Sequence, residues 1–124
     1  MFTIIMTRTK PNYSRGDVVL VLFPHSDLVT ARPRPALVVQ ADDLQTSLPQ
    51  VVVAMITSRM FRANHPSRVT IRLSETYGNQ SGLLTDSVVM TDNLATIAKS
   101  EIERNIGALP MEYIDSALRH TLAL

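Results

Sequence analysis

The sequence of 124 residues contains no cysteine and no tryptophan, and it has only four glycines. Without cysteine the chain forms no disulfide, no thiolate metal site and no thiol nucleophile, and it shows no sign of secretion. No segment is long and apolar enough to span a membrane. The apolar residues 2–6 are too few for a secretory signal and follow no cationic start, so we expect a cytoplasmic protein with no membrane partner.

Motifs for several kinds of chemistry are also missing. There is no glycine-rich phosphate loop, no serine nucleophile elbow and no paired-carboxylate motif. His25, His65 and His120 are dispersed, and none is at ligand spacing from another histidine or from a carboxylate. The adjacent Asp42 and Asp43 would point to opposite faces of a strand. We therefore expect no metal site and no cofactor, and any catalysis would use Arg, Thr, Ser, His and Asp side chains.

The composition indicates one folded domain. Apolar residues make up 45% of the chain, and its length suits a single hydrophobic core. Residues 7–15 are polar and include Pro11, which indicates a leader. We therefore divide the chain into a leader, residues 1–14, and one domain, residues 15–124.

The formal charge of +1 conceals an uneven distribution of charged residues. Residues 28–72 carry six arginines and two aspartates, a formal charge of +4, whereas residues 73–124 carry −4. A guanidinium is planar, permanently charged and able to bind two phosphate oxygens at once. The basic middle of the chain therefore predicts recognition of an anion, phosphate first, although some of these arginines would also serve to solvate the surface.

Apolar runs separated by turn signals predict a mainly β fold. Three runs are apolar on both faces, as in buried strands, and a fourth alternates with a period of two. A later pair of runs could form one bent strand. The predicted strands are, in order, 18–23, 34–40, 51–57, 69–73, 87–98 and 106–109.

A helix is predicted at the end of the chain. Pro110 suits the first helical position, and four apolar residues recur at helical spacing after it, Met111, Ile114, Leu118 and Leu122. Five or six short strands followed by one helix predict a small, strongly curved antiparallel barrel with a C-terminal α-helix.

Arg34 and Thr57 stand at the ends of two predicted strands. Pro35 fixes its own φ at about −65° and pushes Arg34 into an extended backbone at the strand entrance. Each residue also has an ordinary interpretation, as a surface arginine and as a β-branched residue that finishes a strand. Together such groups would suffice for metal-free RNA cleavage. In that reaction the substrate's 2′-hydroxyl attacks the adjacent phosphorus, and a fixed cation stabilises the phosphorane.

An ordered set of short motifs extends over residues 15–122. The first half contains Gly16-Asp17-Val18-Val19, Phe23-Pro24, Arg34-Pro35-Ala36-Leu37-Val38-Val39 and Ile56-Thr57-Ser58. The second half contains Gly82-Leu83, Ser87-Val88-Val89, Asp92-Asn93-Leu94, Thr96-Ile97 and Ile106-Gly107. As a set they resemble the MazF/PemK toxins of bacterial toxin–antitoxin pairs. The resemblance implies a small SH3-like barrel, usually a homodimer, acting as a sequence-specific, metal-independent endoribonuclease restrained by an antitoxin.

The resemblance also assigns roles to residues of this sequence. Arg34 takes the position of the family's catalytic arginine, and Thr57 takes that of its catalytic threonine or serine. Asp92 matches an aspartate that some members use near the scissile phosphate. Ser58, Arg59 and Arg62 fall in the loop that helps to line the RNA groove. The implied partners are single-stranded RNA, a cognate antitoxin and, only through the antitoxin complex, operator DNA.

The sequence also departs from the family pattern. Asn93 replaces a commoner glutamine, Ala95 stands where an arginine is frequent, and the first loop lacks the usual Glu-Gln pair and glycine. The comparison with the family implies that a proton donor or an RNA contact is either missing here or supplied elsewhere, with His25 and Arg32 as candidates, and His25 is also a candidate catalytic base. Two other interpretations stay open. One is a binding protein on the same barrel, like the CcdB toxins that poison DNA gyrase, and the other is an inactivated member that binds its antitoxin and autoregulates an operator.

Overall fold

The computed structural model describes residues 12–24 and 31–124. The strands are β1 (Asp17–Pro24), β2 (Ala31–Val38), β3 (Gln50–Thr57), β4 (Arg68–Ile71), β5 (Ser87–Ala98) and β6 (Ile102–Ala108). The helices are α1 (Thr76–Gln80) and α2 (Met111–Leu122), and single 3₁₀ turns lie at Met60–Arg62 and Lys99–Glu101. The mainly β fold with a C-terminal helix is confirmed.

The six strands form one antiparallel sheet in the order β4-β5-β3-β2-β1-β6. The hairpin of β1 and β2 lies beside β6 on one side and β3 on the other, and β5 joins β3 to the edge strand β4. In the described part of the chain β4 and β6 do not pair with each other. The expected barrel is therefore an open sheet whose two edge strands are not joined by a ladder.

The sheet buries both of its faces, as the uninterrupted apolar runs predict. Consecutive residues such as Val18 and Val19 are both fully buried but belong to different apolar clusters, because neighbouring side chains on a strand point to opposite faces. One cluster includes Ile114 and Leu118 of α2, so the helix covers that face. The other cluster includes Ile97 and is built from strand residues and their neighbours.

β5 is one long strand with a bulge, which confirms the predicted bent strand. Met90 pairs with Met55 and Leu94 pairs with Ala54, so residues 91–93 are extra on the β5 side. Such a bulge bends a strand and increases its twist. Thr91 within it is fully buried, and its hydroxyl lies 2.8 Å from that of Thr121 in α2.

Helix α2 begins after Pro110, as predicted, but its buried face is rotated toward the end. Ile114 and Leu118 are buried, whereas Leu122 is 49% exposed. Ala117 is buried instead, and Thr121 rather than Leu122 reaches the bulge in β5. Thr121 faces inward because its hydroxyl pairs with that of Thr91. Apolar periodicity alone does not reveal such a polar contact.

Other segments also differ from the sequence-based expectation. The segment between β4 and β5, for which no helix was predicted, contains the short helix α1. β6 begins at Ile102, earlier than predicted, since its first residues pair with β1. Residues 1–11 of the expected leader lie outside the described residues. No helix among the described residues is long and apolar enough to cross a membrane.

Candidate active-site cleft

The predicted catalytic residues Arg34 and Thr57 line the same cleft. Strands β2 and β3 pair from Val38 with Val53 to Ala36 with Met55, and Arg34 and Thr57 each lie two residues beyond the last pair. At Arg34 the described chain pairs β2 with β1 alone, through Val21. The cleft has a volume of about 760 Å³. Its lining consists of Leu20, Pro33, Arg34, Pro35, Ile56, Thr57, Ser58, Arg59, Gly82, Leu83, Leu84, Thr85, Ser87, Arg104, Asn105 and Ile106.

The lining of this cleft is basic. It includes Arg34, Arg59 and Arg104, and none of the described residues in it is an aspartate or glutamate. All three arginines are exposed. Guanidinium groups remain charged at any ordinary pH, so the cleft attracts anions, and its planar donors suit phosphate oxygens.

The hydroxyl of Thr57 is oriented by the backbone that follows β3. Thr57 Oγ1 accepts a hydrogen bond from the Arg59 backbone N–H, with an N–O distance of 3.2 Å. A hydroxyl that accepts in this way still has its own proton to donate. Thr57 is thus able to donate to an anionic oxygen in the cleft, and the same bond shapes the turn that carries Arg59.

A second wall of the cleft comes from β6 and was not predicted. Leu20 of β1 pairs with Pro35 on one side and with Arg104 on the other, so these three side chains lie on the same face of the sheet. Arg104 and its neighbour Asn105 both line the cleft. Little in the local sequence indicates this wall, because Arg104 lies in the acidic C-terminal half and next to Glu103.

A third wall, residues 82–85, is held close to β6 by glycines. A Cβ on Gly82 would lie 1.9 Å from the carbonyl oxygen of Ile106, and a Cβ on Gly107 would lie 2.4 Å from the carbonyl carbon of Ser81. Gly82 also has a φ of +75°, which side chains rarely allow. The motifs Gly82-Leu83 and Ile106-Gly107 therefore belong to one close contact between two backbones.

The loop after β3 is fastened to the sheet by Arg68. Arg68 Nη1 donates to the carbonyl of Arg62 at 3.1 Å, and its Nε and Nη2 donate to the two carboxylate oxygens of Asp92 at 3.3 Å and 2.7 Å. The hydrogen bond from Arg68 lowers the pKa of Asp92 below its usual value. Thr91 holds the same loop by donating from its N–H and its hydroxyl to the carbonyl of Ser67.

The structure brings some of the sequence-predicted residues together and separates others. Ser58 and Arg59 line the cleft with Arg34 and Thr57. Arg62, Asp92 and the exposed Arg32 are not part of its lining. Asp92 is occupied by Arg68, and the Arg62 guanidinium lies 3.9 Å from the sulfur of Met90. His25 lies outside the described residues.

Two further cavities have a different chemical character. One of about 240 Å³ is bounded by β4, α1 and α2 and is mostly apolar, and one of about 780 Å³ surrounds residues 40–51. No arginine of the described part of the chain lines either of them. Among residues 12–24 and 31–124, no three His, Cys, Asp or Glu side chains form a group that could hold a metal ion.

Strand β2 begins at Ala31, so Arg34 lies within the strand and not at its entrance as predicted, whereas Thr57 ends β3. A mainly β domain with this arginine-lined cleft is suited to binding an anion. Comparison with known proteins identifies its family. Residues 14–122 match the family described as PemK-like, MazF-like toxin of type II toxin–antitoxin system. The chain belongs to this family.

Curated relatives and solved structures agree with this assignment. The chain is 34% identical to endoribonuclease MazF6 of Mycobacterium tuberculosis over 90% of this chain and 97% of the relative. It is 33% identical to endoribonuclease EndoA of Bacillus subtilis over 89% and 94%. A mycobacterial endoribonuclease solved in complex with its cognate antitoxin superposes with a TM-score of 0.67 at 26% identity, covering 91% of this chain and 97% of that one. The fold also matches MazF of the MazE-MazF structure from Deinococcus radiodurans, with a TM-score of 0.67 at 17% identity and coverage of 90% and 96%.

Proposed function

We propose that the protein is the toxin of a toxin–antitoxin pair and that it cleaves single-stranded RNA in the cytoplasm. The observation that carries the proposal is that Arg34 of β2 and Thr57 at the end of β3 line one basic cleft. RNA supplies a phosphodiester for the guanidinium groups and a 2′-hydroxyl as nucleophile. Membership of the family and identity with named endoribonucleases support the same function.

In the proposed mechanism, the 2′-oxygen attacks the adjacent phosphorus and the bond from phosphorus to the 5′-oxygen breaks. The 2′-hydroxyl loses its proton and the departing 5′-oxygen gains one, so the products are a 2′,3′-cyclic phosphate and a 5′-hydroxyl. Arg34 stabilises the charge that develops on the phosphorane, which is the step where a preorganised donor has its largest effect. Thr57 donates its hydroxyl to a phosphate oxygen, and Ser58 and Arg59 hold the flanking RNA.

The two residues outside the cleft take supporting roles in this proposal. Asp92 holds Arg68, and Arg68 holds the carbonyl of Arg62, so this group positions the loop that presents Arg59. Asp92 therefore acts through the loop rather than on the phosphate. The proposed domain, residues 15–124, contains every one of these groups.

We further propose a homodimer and a cognate antitoxin as protein partners, with operator DNA bound only through the antitoxin complex. Related structures contain a toxin of this family bound to its antitoxin. An acidic, extended antitoxin segment would complement the three guanidinium groups of the cleft and cover it.

The proposal is tested with purified protein, end-labelled RNA and EDTA. We expect cleavage to persist in EDTA, because Arg34 and Thr57 take the place of a cation, and we expect 2′,3′-cyclic phosphate ends. The matched control is the same RNA with every 2′-hydroxyl methylated, which lacks the nucleophile and should resist. Cleavage of the methylated RNA would refute the mechanism, and a failure to cut any RNA would favour a binding protein.

A further inference from the structure

The β6 wall of the cleft is formed by Arg104 and Asn105. Strand β1 separates it from the wall formed by β2. Because Leu20 of β1 pairs with both Pro35 and Arg104, the two walls are separated by two strand spacings, roughly 10 Å. Leu20 lies between the two walls on the same face, and a nucleotide bound above Leu20 can contact both of them. Both β6 side chains are exposed, so a ligand in the cleft can reach them.

The β6 wall offers hydrogen-bond donors. Asn105 Oδ1 accepts from the backbone N–H of Gly107 at 2.9 Å, and this bond fixes which end of the amide points to the backbone. The NH₂ group of Asn105 is then its remaining polar end, and it can only donate. Arg104 also can only donate. Among residues 12–24 and 31–124, no carboxylate in the lining supplies an acceptor beside them.

From this arrangement we propose that Arg104 and Asn105 select the base next to the scissile phosphate, favouring bases with an exocyclic keto oxygen. Uracil and guanine present such an oxygen, whereas cytosine and adenine present an amino group at the equivalent position. An amino group would place its N–H donors against the donors of the wall, and neither side would gain a partner. The inference rests on the proposed function in one respect, that the ligand is RNA.

The test measures binding to short oligonucleotides with 2′-O-methyl groups, which cannot be cut by the proposed mechanism. Four oligomers of equal length contain only uridine, cytidine, inosine or adenosine. We expect uridine or inosine to bind at least about tenfold more tightly than its amino counterpart, the discrimination that one good side-chain pair provides. A preference for uridine over cytidine would indicate a pyrimidine site, and a preference for inosine over adenosine would indicate a purine site. Equal affinity within both pairs, or a preference for the amino bases, would overturn the inference.

Substitution of Asn105 provides the sharper test. Asn105→Asp retains the oxygen that accepts from Gly107 and replaces the NH₂ donor with an acceptor, so the ratio of keto to amino affinity should fall about tenfold or reverse. The matched control is Asn79→Asp on the exposed surface of α1, which adds the same charge outside the cleft and should leave the ratio unchanged. An unchanged ratio in Asn105→Asp would refute the proposed role.

Arg104→Ala, compared with Arg119→Ala on the exposed surface of α2, tests the second residue in the same way. Arg104→Ala should lower the keto preference, while Arg119→Ala should not, and equal behaviour of the two variants would overturn the assignment of Arg104. Binding is independent of cleavage. If the protein prefers keto bases but cuts no RNA, the proposed function is refuted and this inference stands. If the protein cuts RNA but binds all four bases equally, this inference is refuted and the proposed function stands.

Discussion

Replacing Gly82 with alanine should push residues 82–85 away from β6 and so widen the cleft. The new Cβ would lie 1.9 Å from the Ile106 carbonyl oxygen, whereas real Cβ contacts essentially never fall below 3.0 Å. Residues 82–85 and β6 must therefore separate by about 1 Å. The left-handed backbone at Gly82 adds roughly 1–2 kcal/mol of strain for any residue with a side chain.

Both effects should be measurable in the purified variant. We expect Gly82→Ala to lower the free energy of unfolding by roughly 2–4 kcal/mol, followed by urea denaturation, since strain and displacement act together. The folded fraction should cut RNA at least about tenfold more slowly, because a displacement of roughly 1 Å at a site can cost up to about a hundredfold in rate.

Gly16→Ala is the matched control for this experiment. Gly16 also has a positive φ, of +96°, but its Cβ would meet the Leu109 carbonyl oxygen at 3.0 Å, and Gly16 is not part of the cleft lining. It should lose roughly 1–2 kcal/mol of stability and keep its rate of cleavage. If Gly82→Ala matched Gly16→Ala in both stability and rate, the close contact between residues 82–85 and β6 would not shape the site.

Three further predictions concern the residues around the cleft. The pKa of Asp92 is lowered in the folded state, so its carboxylate stabilises the fold above the unfolded value of about 3.9, and this contribution is lost as the pH falls through the folded pKa. Asp92→Asn should be less stable than wild type at pH 7, and the deficit should shrink as the pH falls below about 3.9. The exposed Asp43→Asn is the control, and a deficit that stayed constant down to strong acid would contradict the ion pair with Arg68. Thr57→Ser should keep the hydroxyl and most of the cleavage rate, whereas Thr57→Val should lose at least about tenfold; equal rates would show that the hydroxyl has no role. Antitoxin binding should weaken as salt is raised from 0.1 M, where the Debye length is about 10 Å, and a salt-independent affinity would mean that the basic cleft is not the docking surface.

The fold followed from local sequence patterns where a pattern had only one structural outcome. The apolar runs around Val18, Leu37 and Val53 predicted strands buried on both faces, since no solvent-exposed face could accommodate them. The helix after Pro110 was set by periodicity. Its last buried contact was missed, because Thr121 turns inward to bond Thr91, a partner 30 residues away in sequence.

The site was predictable in part for a similar reason. Arg34 and Thr57 carry strong local signals, and both line the cleft just beyond the last pair of the β2–β3 ladder. Arg104 and Asn105 carry none, because their position in the cleft follows from the pairing of β6 with β1, which joins residues more than 80 apart in sequence. The pairing of Asp92 with Arg68 is also non-local, and it removes Asp92 from the cleft, where family resemblance alone would place it.

The central claim is that Arg34 stabilises the transition state of RNA cleavage in this cleft. The most direct measurement is the single-turnover rate of cleavage by Arg34→Ala in EDTA, with Arg119→Ala as a control that removes one exposed arginine outside the cleft. Arg34 is exposed, so the variant should fold as wild type does. We predict a loss of about a hundred- to a thousandfold in rate for Arg34→Ala and none for Arg119→Ala. A rate for folded Arg34→Ala within a few fold of wild type would contradict the account.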